Sequence, residues 1–350
     1  MKKFKAVLLL ALLSSLAALT VLYSGVSAAF YMLPEETQSA ESDFVSSYEE
    51  QTIDLQEQSN VPQQTEPDNT PSQADTSSAV PTVENHTVSG KIITRFIDPK
   101  GAPLKYNNVY LKNNTDAKID IKTELEKNIK IKIEKNSSPQ VLIVHTHATE
   151  SFMQEDRDYY TTTDVSRSTD NTKNMVAVGE RIAAELTAAG IGVLHDKTLH
   201  DYPSYTGSYT MSAKTIKSYL SKYPSIKVVL DVHRDAIGGG GADKVKVVKE
   251  IDGKKAAQVM LVMGSQTGTV TNFPNWKLNL RLAMRFHSTI ENMYPGLARP
   301  ILLMSKKYNE QLTTGSMLLE IGTDANTMDE ALYSGTLAGK ALATFLSELK

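Results

Sequence analysis

The chain has 350 residues, 41% of them hydrophobic and 22% charged, with a formal net charge of −3. That composition excludes collagen-like, wholly disordered and polytopic membrane classes. The absence of Cys removes a disulfide framework, a thiolate nucleophile and any Cys-type zinc finger, so a metal would have to be held by His, Asp or Glu.

In chain order, Lys2, Lys3 and Lys5 precede an apolar run that reaches Leu33. Such a run is long enough to cross a bilayer of roughly 30 Å, and the leading lysines favour an N-in orientation. The expectation is a single-pass transmembrane signal anchor over 1–33, with the rest of the chain outside the cytoplasm. A cleaved signal peptide ending near Val26-Ser27-Ala28 is the alternative. Residues 34–84 carry twelve Asp or Glu and no Lys or Arg, and lack aliphatic periodicity. They are expected to form a disordered acidic linker, because little apolar surface is available to offset ordering entropy. Residues 85–350 then hold 28 acids against 34 bases, about +6. This excess suits an anionic polymer and is too small to argue for nucleic acid.

Residues 85–138 alternate in short runs, as in 109–112 and 129–133, broken by Pro-Lys-Gly and Asn-Asn turn signals, and predict a small β-rich lead-in. From 139 to 350 short apolar strands alternate with longer amphipathic helices. The predicted strands are 141–145, 191–195, 226–233, a hairpin of 245–251 with 257–263 about Asp-Gly, 301–304 and 317–321. The predicted helices are 173–189, 212–223, 275–293 and 328–349. The fold class expected is α/β: a twisted, mostly parallel sheet with helices on both faces.

In open α/β sheets ligands collect beyond the carboxyl ends of the strands. Three predicted strands end there in polar residues: His145-Thr-His147-Ala-Thr-Glu150, His233-Arg234-Asp235, and Glu320. Alternation would place His145 and His147 on one side. Imidazoles plus a carboxylate are the ligand set of a catalytic zinc centre, and a further carboxylate, for which Glu320 is the candidate, would act as general base and acid. Arg234 and Asp235 are candidates to contact substrate, or else a structural ion pair. Tyr202, Tyr205 and Tyr209 could line a groove or simply edge the core. His195, His200 and His287 read as structural, and the glycine run 238–241 reads as a loop beside the site, since it lacks the ending of a phosphate loop.

The segments Val-Leu-Ile-Val-His-Thr-His-Ala-Thr-Glu-Ser-Phe (141–152), Asp-Lys-Thr-Leu-His-Asp-Tyr-Pro-Ser-Tyr-Thr-Gly-Ser-Tyr (196–209), Asp-Val-His-Arg-Asp-Ala (231–236) and Leu-Leu-Glu-Ile-Gly-Thr-Asp-Ala-Asn (318–326) resemble the stage II sporulation protein P family. That family comprises membrane-anchored peptidoglycan hydrolases of endospore-forming bacteria. The resemblance implies a cell-wall amidase-like fold over 139–350 and a zinc-dependent N-acetylmuramoyl-L-alanine amidase with an added cross-link endopeptidase activity. It further implies stage II sporulation proteins D and M as partners, and action in the septal space between the membranes during forespore engulfment. Carried onto this chain, it places a zinc ligand in His145-Thr-His147, another at His233, and the catalytic glutamate at Glu320. Glu150 is the acidic ligand expected within the motif, with Asp170 as the alternative, and which of His145 and His147 binds metal stays open. A different class of function, a non-catalytic tethered wall-binding or scaffold protein, would leave these strand ends without metal.

Overall fold

Apolar runs too short for a helix become strands. A computed structural model describes residues 87–238 and 242–349, all within one compact unit. The expected anchor, the acidic linker and most of the 238–241 run lie outside the described residues. No helix among the described residues is long and apolar enough to cross a membrane.

The strands are β1 (Val88–Arg95), β2 (Leu104–Tyr106), β3 (Val109–Asn113), β4 (Val141–Val144), β5 (Tyr159–Thr161), β6 (Val193–His195), β7 (Val228–Asp235), β8 (Lys244–Ile251), β9 (Lys254–Ala257), β10 (Val259–Gly264), β11 (Ile301–Met304) and β12 (Ser316–Thr323). The helices are α1 (Ile121–Glu126), α2 (Met175–Ala188), α3 (Ser208–Lys222), α4 (Trp276–Met293) and α5 (Met328–Glu348). Eight strands form the main sheet in the order β2-β3-β11-β10-β12-β7-β4-β6. Its pairings are parallel except for β2 with β3 and β10 with β12. A second sheet runs β5-β1-β8-β9.

Alternation along β4 shows how the main sheet is covered. Val141 and Ile143 join Ile182 of α2, Phe286 of α4 and Phe345 of α5 in the principal core. Leu142 and Val144 point the other way, onto Ile216 of α3. Helices therefore cover both faces of a mostly parallel sheet, the α/β arrangement expected from the sequence.

Two local readings change. The 129–133 alternation forms no strand. Its Ile129, Ile131 and Ile133 still pack against the core, and Ile133 N–H bonds Leu349 O. The return arm of the hairpin is broken at buried Gln258, whose side chain bonds both Ile97 N–H and Ile97 O. So β9 stays with β8 while β10 enters the main sheet. The Asp252-Gly253 turn itself forms as expected, both residues left-handed. The predicted β-rich lead-in supplies strands to both sheets: β1 joins the second sheet, and β2 and β3 extend the main one.

Candidate active site

The site grows from the alternation of β7. Leu230 and Val232 face the principal core, and Val229 faces the α3 side. Asp231 and His233 share that side by the period of two. Parallel β12 sets Glu320 beside His233. Leu318, two residues earlier, belongs to the smaller cluster on the same face. Tyr209, in the first turn of α3, lies over this patch with its ring stacked on His233 at 6.4 Å.

The segment after β4 supplies the rest. β4 ends at Val144 and the chain turns through 146–149, so the strand alternation expected to align His145 with His147 does not extend to them. The turn carries the two histidines to different environments. His145 is buried under α2. Its Nδ1 donates to Val232 O at 2.8 Å, and its Nε2 lies 2.8 Å from Nε2 of His195. Burial, reinforced by the His195 charge, holds its pKa down to about 3, so the ring is neutral. His147 enters the patch instead. Its ring stands 5.2 Å from that of His233 and nearly perpendicular to it, and its Nδ1 is 3.3 Å from Ser208 Oγ. Burial brings this imidazole to about 3 as well.

Glu150 closes the arrangement. Its Oε2 accepts from Arg234 N–H at 3.1 Å and lies 3.6 Å from His233 Nδ1. Burial raises its pKa, but the His233 hydrogen bond and the charges of Arg234 and His233 outweigh it and keep the carboxylate ionised. Asp231 braces His233 from behind, with Oδ1 at 3.0 Å from Nε2. It also accepts both the N–H and the hydroxyl of Thr146, at 2.8 and 2.6 Å. Burial opposes a charge on His233, yet Asp231 and Glu150 prevail and hold its pKa well above 6.5. Glu320 behaves oppositely. Burial pushes it well above the usual carboxylate range; His233 pulls it back, while Asp235 and Glu150 reinforce the rise. Its Oε2 is buried with no hydrogen-bond partner among the described residues.

Of the residues expected at the site, the structure thus brings together His147, Glu150, His233 and Glu320, and sets His145 apart. Asp170 is exposed and caps its own turn through Thr172. Arg234 and Asp235 are buried, and their side chains bond within the fold. The Arg234 guanidinium donates to Ser151 O, Ser166 O and Asp235 O, and Asp235 accepts from Arg299 at 2.8 Å. His195, His200 and His287 hold structure, by way of His145 Nε2, His145 O and Arg299 O. Tyr205 and Tyr209 both contact the His147 ring. Reading single residues at the strand ends missed Asp231, although Asp231-x-His233 on a strand is enough to place both on one face. Nothing local marks Asp201 or Arg167, whose contacts with the turn come from distant segments.

Among the described residues no group of three or more His, Asp or Glu side chains stands ready-made around a metal. The donor chemistry suits zinc once His233 gives up the proton that Asp231 and Glu150 favour on it, as metal binding to an imidazole requires. His147 is neutral, Glu150 is ionised, and the 3.6 Å between Glu150 Oε2 and His233 Nδ1 is close to the ~3.4 Å edge of a tetrahedron with bonds of about 2.1 Å. Asp231 behind His233 is the carboxylate–histidine pairing that orients a metal-binding imidazole.

Fold and site together define an α/β protein with a buried imidazole–carboxylate centre built where parallel strands β4, β7 and β12 lie side by side. The profile of the family described as Stage II sporulation protein P (SpoIIP) matches residues 19–343, and the chain belongs to that family. Stage II sporulation protein P of Bacillus subtilis (strain 168) is 28% identical over 222 residues, which cover 60% of this chain. The match spans about half the length of that relative, 50% of it. Among solved structures, the N-acetylmuramyl-L-alanine amidase Ami1 from Mycobacterium smegmatis is 12% identical, with a TM-score of 0.37 over 61% of this chain and 99% of that one. The N-acetylmuramoyl-L-alanine amidase from Clostridium difficile 630 is 14% identical, with a TM-score of 0.36 over 61% of this chain and all of that one, 100%.

Proposed function

We propose that the protein is a peptidoglycan hydrolase of sporulation, a zinc-dependent N-acetylmuramoyl-L-alanine amidase that releases stem peptides during forespore engulfment. The observation that carries this reading is the convergence of His147, Glu150 and His233 beside a buried, unpartnered Glu320 oxygen. Membership of the sporulation family supports the setting. The net positive body suits an anionic wall polymer.

His147, Glu150 and His233 would hold the metal. Bound there, zinc supplies polarisation of a carbonyl and activation of water. The chain's own residues supply the rest. Asp231 and Thr146 keep His233 oriented, and Ser208 does the same for His147. Tyr209 screens the centre from bulk water. Hydrolysis adds water to the lactyl carbonyl of N-acetylmuramic acid, breaks the bond to L-Ala and requires a proton on the departing nitrogen. Glu320 is placed to carry that proton, because its burial raises its affinity for it. Peptide cross-links are amides as well, so an endopeptidase activity would use the same groups. The anchor over 1–33 and the acidic linker would suspend the domain from the membrane into the septal space, with stage II sporulation proteins D and M as its partners there.

The test is digestion of purified sacculi by the full chain with added zinc or with chelator, with products identified by mass spectrometry. Free stem peptides should appear only with zinc, and a Glu320→Ala chain should bind zinc but release none. Full activity of Glu320→Ala would remove Glu320 from the reaction; release that survives chelation would remove the metal.

A further inference from the structure

The segment 166–168 lies antiparallel across the turn that carries Glu150. Glu150 and Arg167 form a β-bridge, Ser151 N–H bonds Ser166 O at 3.0 Å, and Ser168 N–H bonds Thr149 O at 2.7 Å. From this backbone seat the Arg167 side chain reaches three ways. Its Nη1 donates to Asp201 Oδ2 at 2.6 Å and to Thr149 Oγ1 at 3.2 Å. Its Nη2 faces Glu150 Oε1 at 3.9 Å. Its guanidinium carbon stands 4.6 Å from the centre of the Tyr205 ring, and that ring stacks on His147 at 4.6 Å and 11°.

Asp201 completes the linkage. It is buried in the loop between β6 and α3, and it accepts the N–H of Thr149 at 3.1 Å and the hydroxyl at 2.5 Å. Thr149 is the residue before Glu150, so the Asp201 carboxylate sets the backbone from which Glu150 extends. One arginine therefore faces Glu150 at 3.9 Å, holds Thr149 directly and through Asp201, and lies over the Tyr205 ring that stacks on His147.

We propose that Arg167, acting with Asp201 and Tyr205, is a positioning residue that holds His147 and Glu150 in place for metal before the metal arrives. The proposal rests on the zinc reading of the centre. An unbraced turn would have to order two side chains at the moment of binding, and that cost weakens affinity. Groups behind metal ligands commonly change affinity by about 10–100-fold when removed. A lysine could keep the ion pair with Asp201 but has no planar fork to contact Asp201 and Glu150 while lying over Tyr205.

The experiment uses the purified full chain, metal-free, and measures zinc affinity by competition with a chromophoric chelator, alongside the melting temperature without metal. Wild type is expected to bind zinc and His233→Ala to lose it. Arg167→Ala should weaken binding by about 10–100-fold while melting within a few degrees of wild type, and Arg167→Lys should fall between the two. Arg167→Ala with wild-type affinity would overturn the positioning role and leave the zinc reading standing. Weakened binding that tracks a large fall in the metal-free melting temperature, with no recovery in Arg167→Lys, would make Arg167 a fold stabiliser and overturn it too. A wild-type chain that binds no zinc would overturn both.

Discussion

The six histidines among the described residues are sorted by what their ring nitrogens meet. His145 and His287 are both fully buried and both bonded to backbone carbonyls, Val232 O and Arg299 O. Burial lowers His287 to about 4. Between about pH 6.5 and 4 the unfolded chain therefore takes up a proton at this position that the folded chain refuses, and folding loses about 1.4 kcal/mol per pH unit to it. The contribution is intact above 6.5 and is lost as pH falls. His287→Gln removes this loss, so its stability relative to wild type should rise by that amount per unit as pH drops through the window. Denaturant unfolding at a series of pH values measures it; a difference that does not change with pH would mean that His287 is not held neutral. His287 lies on α4, away from the centre, which keeps the test separate from metal.

The helix α2 must approach the sheet closely enough to cover the His145–His195 pair. Gly179 makes that possible: a Cβ there would stand 2.6 Å from Nε2 of each imidazole. Alanine would improve helix propensity by about 1 kcal/mol, but overpacking typically costs about 1–3 kcal/mol. His145 cannot yield readily, since its Nδ1 is held by Val232 O. The steric cost should win, and Gly179→Ala should lower the melting temperature; a rise would show that the imidazoles swing aside. At the same scale α5 begins with a capping box, Thr327 and Glu330 each bonding the other's backbone N–H. Glu330 also pairs with buried Lys246 of the second sheet, so the start of this helix is tied to that sheet.

For the whole molecule, the centre is the meeting point of segments far apart in the chain, and a ligand bound there should stabilise all of them together. Zinc at 100 times its dissociation constant would add about 2.7 kcal/mol, roughly 5–10 °C in melting temperature for a domain of this size. Chelator should abolish the increment in wild type, and His233→Ala should show none. Equal melting temperatures with and without zinc would argue against a metal centre. The same geometry separates the two carboxylates by task. Glu150 accepts from the Arg234 N–H and lies against His233 and stays ionised, whereas for Glu320 burial, with Asp235 and Glu150 nearby, outweighs the pull of His233 and Arg299 and favours the proton.

The sequence by itself determined what depends on neighbours along the chain. The aliphatic run at 301–304, the helix predicted at 275–293 and seen from 276, and the Asp252-Gly253 turn are set by local periodicity and backbone preference, so they were legible. His233 and Glu320 were legible as strand-end polar residues, because alternation and burial of the flanking aliphatics leave them facing one side. The tertiary structure alone decided which of His145 and His147 enters the centre. It also decided that Glu150 rather than Asp170 meets His233, that Gln258 divides a strand between two sheets, and that Asp201 and Arg167 brace the turn. Each of these rests on contacts between remote segments: Asp201 reaches Thr149 across 52 residues and Arg234 reaches Glu150 across 84. The order in which strands pair sets those distances, and no local pattern of residues encodes it.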